Sequence, residues 1–253
     1  MQMDLSEESD RTVAFSGIVS SFSLSQKLTG TYLAGFWRAH LPLGLSWYVF
    51  SSKASRSSRF LAPSWTWTSI RGPCQLALPG YRCMSDSGVK LLVTLESASV
   101  IATDGCSNPG SLMGGAVTIR GDIIGPVSLE FYEQSAHLVD KHKGEKQANI
   151  HFDENDDDGP LITNMGGFPA GKSQRDLRQV ERLTNHTGSF FVLPIADVSS
   201  MHVVYGLVLY QTLHKPSVFS RVGFVRSKGY SKEERFNFQV ANISDAGALV
   251  TIV

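Results

Sequence analysis

The first part of the chain carries apolar residues at intervals of three to four, which is the period of a helix. Over residues 10–22, Asp10 is placed to cap a first turn, and Ala14, Ile18 and Phe22 recur at every fourth position on one face. This spacing predicts a helix that packs against the rest of the protein.

A second region, residues 31–50, repeats this pattern over shorter lengths. Leu33 and Trp37 lie four positions apart, which predicts a short helix there. Pro42 ends that helix or begins another, because proline is tolerated in the first turn of a helix. Residues 43–50 are then expected to form a second short helical piece.

Beyond Trp65 the apolar period becomes two, which is the period of a strand. Runs rich in β-branched residues are separated by turns that contain Gly and Pro. The candidate strands cover residues 89–95, 98–102, 115–121, 127–132, 148–152, 189–195, 203–211, 217–225, 235–240 and 248–253. No regular helical pattern separates them, so the sequence predicts antiparallel pairing and not a parallel α/β sheet.

The predicted fold is therefore mainly β: an antiparallel, jelly-roll-like β-sandwich with a small N-terminal helical segment. Residues 1–60 are assigned to the helical segment and residues 61–253 to the sandwich domain. Residues 133–185 are polar and contain a single strand-like run, residues 148–152. We expect this stretch to be a long excursion over the surface of the sandwich.

All four tryptophans of the chain lie close together, and their large side chains indicate a packing centre. We expect Trp37, Trp47 and at least one of Trp65 and Trp67 to be buried. An alternative is an exposed platform for a carbohydrate. Trp65 and Trp67 are two positions apart and would share one side of a strand, where sugars stack on aromatic rings.

Composition narrows the classes of partner. The 253 residues are 42% hydrophobic and 18% charged, which is typical of a globular protein. Lys and Arg together number 23, as do Asp and Glu, and this balance argues against nucleic acid as a partner. No apolar run approaches the roughly 20 residues of a membrane span, so no membrane association is expected.

The cysteines and the N-terminus indicate a reducing compartment. The three cysteines form no CxxC pair and have no histidine at zinc spacing. The first residues are acidic and polar, unlike a signal or transit peptide. We therefore expect a cytoplasmic protein.

The strongest candidate for a metal site is the acidic run of residues 153–158. A calcium loop of the EF-hand type needs oxygen ligands at positions 1, 3 and 5, glycine at 6 and glutamate at 12. Starting at Glu154 places Met165 at position 12, and starting at Asp153 places Asp158 where glycine is needed. Both registers fail, so we expect a solvated acidic loop without specific calcium binding.

No other motif names a reaction. The glycines between residues 105 and 121 match neither a dinucleotide-binding fingerprint nor a phosphate-binding loop. The chain has no G-x-S-x-G elbow, and its seven histidines form no HExxH motif. We therefore predict no catalytic, cofactor-binding or metal-binding residues, no cofactor, and a protein that is not an enzyme.

Several segments resemble one family. ESDRTVAFSGI (8–18), TYLAGFWRAHLPLGLSWYV (31–49) and APSWTWTSIRGP (62–73) are similar to the region that follows the effector domain in fungal heterokaryon incompatibility (HET) proteins. Later pieces resemble the C-terminal β-rich region of those proteins, in the same order: residues 104–121, 150–153, 190–195, 205–209, 219–225 and 249–253. The resemblance spans nearly the whole chain.

The family's defining effector domain, with its L-S-Y-x-W-G type motif, has no counterpart in this sequence. The chain therefore resembles the region downstream of the HET domain alone, as in a truncated paralogue or gene model. The resemblance implies a non-catalytic interaction or regulatory module related to fungal nonself recognition. The expected partner is a full-length HET-family protein or another protein. The alternatives are a β-sandwich that binds a carbohydrate or small molecule, and a hydrolase whose site is assembled in space.

Overall fold

The structure is a computed structural model. It describes residues 10–24, 30–50, 54–57, 59–78, 88–103, 111–127, 129–132, 135–139, 146–156, 159–161, 189–211, 217–227 and 247–253. One helix in this part of the chain, α1, spans Asp10–Leu24. Short 3-10 helices span Arg38–His40, Leu43–Ser46, Trp67–Ser69 and Ser199–Met201.

Nineteen strands account for most of the ordered backbone in those ranges. Six short strands come first: β1 (Tyr32–Leu33), β2 (Phe36–Trp37), β3 (Trp47–Val49), β4 (Ser55–Arg56), β5 (Ile70–Arg71) and β6 (Cys74–Leu76). The remainder are β7 (Val89–Leu91), β8 (Thr94–Ala102), β9 (Leu112–Gly121), β10 (Ile124–Val127), β11 (Leu129–Tyr132), β12 (Ser135–Val139), β13 (Lys146–Phe152), β14 (Glu154–Asp156), β15 (Gly159–Leu161), β16 (Ser189–Val198), β17 (Val203–Gln211), β18 (Val218–Ser227) and β19 (Ala248–Ile252). The predicted mainly β fold is confirmed.

The period-two runs located the strands well. β17 coincides with the predicted run, and β8, β9, β13, β16, β18 and β19 overlap theirs. The run at residues 89–95 is divided between β7 and the start of β8, and the run at 127–132 between β10 and β11. The predicted strand at residues 235–240 lies outside the described residues.

Eleven strands join into one large sheet system with two arms. The first arm runs in the order β10, β16, β17, β18, β13, β12, β11, with β7 also paired to β16. The second arm runs β8, β9, β19 and reaches β18 at its first residues. The pairing is antiparallel throughout these strands except between β18 and β19, which are parallel at Val218 and Phe219.

The main core lies where the two arms and the segment of residues 33–70 meet. It contains Val117 and Ile119 of β9, Ile252 of β19, and Leu193 and Leu207 of the first arm, all fully buried. The other face of the first arm carries a second cluster, which includes Ile124, Ala148, Phe152, Val192 and Val208. Because apolar residues from both arms pack on each other, the architecture is sandwich-like.

The helices predicted over residues 31–50 are wrong. Residues 32–37 form a hairpin, β1–β2, whose turn places Ala34 and Gly35 at positive φ. A Cβ on Gly35 would lie 2.7 Å from Trp67 Nε1, so the close approach of that ring also requires glycine. After Pro42 the chain makes a 3-10 turn and then enters β3. The four-residue spacing of apolar positions in this region comes from these tight turns. Each turn brings residues that are three or four positions apart to the same side of the chain.

Helix α1 forms as predicted, but it does not contact the core through the predicted apolar face. Ala14, Ile18 and Phe22 are all exposed, with Ile18 51% exposed. The helix is held instead by Arg11, which donates to the Ile70 carbonyl, and by Phe15, whose ring packs edge-on against Trp67 at 4.8 Å.

The polar stretch predicted as a surface excursion contains more structure than one strand. β12, β13, β14 and β15 all fall within it, and β12 and β13 extend the first arm of the sheet. Residues 133–134, 140–145, 157–158 and 162–185 of that stretch lie outside the described residues. These strands escaped prediction because β12 has five residues and β14 and β15 have three each, which is too short to show a clear alternation, and their pairing depends on neighbouring strands.

Candidate functional site

The tryptophans divide into two fully buried and two half-buried side chains. Trp47 and Trp65 are 1% and 0% exposed, whereas Trp37 and Trp67 are half-buried. The expectation of a core position is thus confirmed for Trp47 and Trp65 and wrong for Trp37, which ends the hairpin and packs edge-on against Tyr32 at 5.7 Å.

Trp65 and Trp67 do not form a flat platform. They lie in a turn and in the following 3-10 helix, not on a strand, so their spacing does not place them on one face. Trp67 Nε1 donates to the Gly35 carbonyl at 3.1 Å, and the Trp65 ring stacks near Phe36 inside the core. The carbohydrate alternative loses the exposed aromatic pair on which it depended.

The acidic run contains one residue whose setting contradicts the predicted solvated loop. Asp153 is 1% exposed and follows β13 directly. Its carboxylate accepts from Arg221 Nε at 3.0 Å and from Arg56 Nη2 at 3.1 Å. The prediction failed because the sequence shows neighbouring acidic residues but not the two arginines that reach this one from distant strands.

Arg221 is fully buried, and each of its three side-chain nitrogens donates a hydrogen bond within this cluster. Its Nη1 donates to the Leu45 carbonyl at 2.7 Å, and its Nη2 donates to the Trp47 carbonyl at 2.5 Å and to Asp153 Oδ1 at 3.1 Å. The guanidinium carbon lies 3.4 Å from the centre of the Trp47 ring, which adds a cation–π contact. Burial lowers the pKa of Arg221, and Asp153 opposes that effect.

Arg56 is the third member of the cluster. Its Nη1 donates to Ser69 Oγ at 2.6 Å, and its Nη2 donates to the Arg221 carbonyl at 3.0 Å as well as to Asp153. The Arg56–Asp153–Arg221 cluster therefore ties together β4, β18 and the segment after β13. Its role is to fix the segment of residues 45–69 against the sheet.

Cys74, at the start of β6, is a poor candidate nucleophile. Burial, then the nearby Asp153 carboxylate, raise the pKa of its thiol to about 11. A thiol with so high a pKa holds almost no thiolate at neutral pH, and the thiolate is the reactive form.

One rim of the main core presents polar groups of a different kind. Tyr48 of β3 packs against His151 of β13 with ring centres 5.0 Å apart, and it stacks on Phe224 of β18 at 5.8 Å. Arg226 lies two residues beyond Phe224 and Asn149 two residues before His151, so all share this face of the sheet. Asn149, His151, Arg226 and Tyr48 are called the His151–Arg226 rim below.

The second arm ends at β8, which within the described residues pairs only with β9. The register is regular from Ser97 to Ile101, with a shift at each side of that stretch. Along it Ser97, Ser99 and Ile101 are exposed, whereas Ala98 and Val100 are half-buried against the main core. The one charged residue of β8, Glu96, is paired with Arg120 of β9.

In the ranges that the structure describes, no group of three His, Cys, Asp or Glu side chains could hold a metal ion. The same ranges contain no helix that is long and apolar enough to cross a membrane. No protein-family model, no curated protein and no solved structure matches the chain. The resemblance to HET proteins therefore stays a prediction.

Proposed function

We propose that the chain is a non-catalytic interaction module that binds a related protein by adding a strand to the edge of β8. The observation that carries the proposal is the regular, uncharged stretch from Ser97 to Ile101 at the end of the second arm. An edge strand presents free backbone N–H and C=O groups, which a strand of another chain satisfies by pairing.

The sequence of β8 suits pairing with a second strand of the same sequence. In an antiparallel register centred on Ser99, Ala98 of one strand faces Val100 of the other, and Ser97 faces Ile101. The first pair extends the half-buried side of the sheet. No like charges meet, because Glu96 faces an alanine, Ala102, in this register.

The HET resemblance supplies the identity of the proposed partner. It implies that full-length relatives carry the same region behind an effector domain, so their copy of this strand would pair with β8. Such binding would raise or lower the relative's activity according to the fraction of the relative that carries this chain bound to it. The buried charged side chains also support a non-catalytic role, because Asp153, Arg56 and Arg221 form hydrogen bonds with each other and with nearby backbone carbonyls.

The direct test is Ser99→Lys. Ser99 is exposed, so the substitution should change the free energy of unfolding by no more than about 0.5 kcal/mol. In the centred register it places two like charges about 5 Å apart across the pair, which opposes pairing. We expect the natural chain to self-associate in sedimentation experiments at about 100 µM, and Ser99→Lys to remain a monomer.

Met201→Lys is the matched control. Met201 is 51% exposed and lies in the 3-10 helix Ser199–Met201, which follows β16 on the first arm and is not part of a strand. It adds the same charge away from β8, so self-association should persist. A natural chain that stays monomeric and does not bind a full-length relative, or a Ser99→Lys variant that associates normally, would refute the proposal.

Expression in a fungal host tests the functional part. We expect this chain alone not to kill cells, and we expect it to change the death response only when a full-length family member is present. Ser99→Lys should abolish that change. Cell death caused by this chain alone would show that an effector activity lies within it.

A further inference from the structure

The His151–Arg226 rim is built on three neighbouring strands in fixed register. Asn149 of β13 and Tyr205 of β17 lie opposite Arg226 on either side of β18. His151 lies opposite Phe224, one step further along the same face. Side chains that alternate on one face and are diagonal neighbours lie within about 8 Å of each other, so the imidazole and the guanidinium share one small area.

The position of His151 is fixed by packing from above. The ring of Tyr48 rests against it at 5.0 Å with an angle of 52° between the planes. Tyr48 and Tyr205 in turn both stack on Phe224, with ring centres 5.8 and 5.6 Å away. The imidazole is therefore held on a rigid aromatic base and not on a loop.

The polar groups of this rim are not used within the described structure. Neither the His151 imidazole nor the Arg226 guanidinium makes a hydrogen bond or ion pair with another described residue. Arg221, five residues earlier on the same strand, shows the contrast, since each of its side-chain nitrogens donates a hydrogen bond. His151 is half-buried, so its unpaired ring nitrogens cost free energy unless a ligand or solvent satisfies them, whereas Arg226 and Asn149 are exposed and accessible to a ligand.

The electrostatics of the rim favour an anion. Burial, and then the nearby Arg226, lower the pKa of His151, so the imidazole is neutral at neutral pH and presents one N–H donor. Tyr48 of β3 packs on the imidazole, and Tyr205 of β17 lies beside Arg226. On the other side the register places His137 of β12 opposite Asn149, and the first carboxylate position, Glu130 of β11, is one strand further away.

We propose that the His151–Arg226 rim binds an oxyanion of the phosphate type. The planar fork of Arg226 suits two oxygens of such a group, and the N–H of His151 and the amide of Asn149 suit a third. This proposal is independent of strand addition at β8, which lies on the other arm of the sheet.

The first experiment titrates the chain with inorganic phosphate. Phosphate replaces chloride as it is added, so that the ionic strength stays constant. The Cε1–H resonance of His151, assigned by its loss in His151→Gln, should shift saturably with phosphate. The bound anion should also raise the pKa of His151, because it offsets the charge of Arg226. Arg226→Gln should weaken binding by about tenfold or more, since it removes a charge-assisted pair.

Arg120→Gln is the matched control, because Arg120 is also an exposed strand arginine but is paired with Glu96 and lies on β9. It should bind phosphate like the natural chain. Phosphoserine and a nucleoside monophosphate are then titrated separately. Tighter binding of phosphoserine would indicate a phosphorylated protein as the source of the anion, and tighter binding of the nucleotide would indicate a small molecule. The proposal is overturned if the shift does not saturate, or if Arg226→Gln binds phosphate like the natural chain.

Discussion

Replacing Asp153 by asparagine removes the negative charge from the Arg56–Asp153–Arg221 cluster while keeping its shape. The carboxylate is 1% exposed and accepts hydrogen bonds from both arginines. Without it, the fully buried Arg221 has no counter-charge, and breaking a buried ion pair by removing one partner costs about 3–5 kcal/mol. A folded domain holds about 5–15 kcal/mol in total, so the loss should be severe.

Urea unfolding followed by tryptophan fluorescence measures this loss well. The Trp47 ring lies directly against the Arg221 guanidinium, at 3.4 Å, so its emission reports on the cluster itself. For a chain of about this size, each kcal/mol lowers the melting temperature by about 2–4 °C, and Asp153→Asn should lower it by about 6–20 °C.

Glu96→Gln provides the comparison. It breaks the Arg120–Glu96 pair, which has a similar distance of 2.6 Å but side chains that are 37% and 41% exposed. An exposed pair of this kind contributes at most about 1 kcal/mol. If Asp153→Asn destabilises the chain no more than Glu96→Gln does, then the buried cluster is not what fixes the segment of residues 45–69 to the sheet.

Three further predictions follow from buried or half-buried groups. In urea unfolding, Trp47→Phe should lower the free energy of unfolding by about 1–3 kcal/mol more than Trp65→Phe does. Trp47 Nε1 donates to the Trp65 carbonyl at 3.0 Å, whereas Trp65 Nε1 is buried without an acceptor. Equal losses for the two variants would contradict this. Cys74, with a thiol pKa of about 11, should react with iodoacetamide at about pH 8 far more slowly in the folded than in the unfolded chain, as measured by peptide mass spectrometry. The pKa of His151 is lowered from 6.5 in the folded chain, so the unfolded chain binds a proton at this imidazole more readily, and the free energy of unfolding should fall as the pH drops below 6.5. His151→Gln should lose part of that pH dependence. An unchanged pH profile in this variant would contradict the prediction.

The fold could be predicted from the sequence where local pattern decides local structure. The period-two runs located strands such as β17 because alternating burial is imposed by the sheet itself. The region of residues 31–50 misled because tight turns and 3-10 segments also repeat at three to four residues. The face of α1 was misjudged for a related reason, since spacing shows that apolar residues share a face but not what that face contacts.

The buried cluster was beyond the reach of pattern, because its members are distant in sequence. Asp153 and Arg221 are 68 residues apart, and nothing near either one indicates the other. The one available signal was Arg221 itself, a charged residue with apolar residues on most sides of it within a strand. The rim was partly accessible, since alternation along residues 148–152 places Asn149 and His151 together on the face opposite Ala148 and Ile150.

The Arg221 contacts have a consequence for how the protein is made in the cell. The Leu45 carbonyl and the Arg221 side chain that satisfies it are separated by 176 residues. At about 5–20 residues per second, a ribosome needs about 10–35 s to synthesise that distance. During this interval the segment of residues 45–69 exists without the strand that holds it, with Trp47 and Trp65 still uncovered. The segment of residues 45–69 is therefore the part of the nascent chain on which chaperones are expected to act.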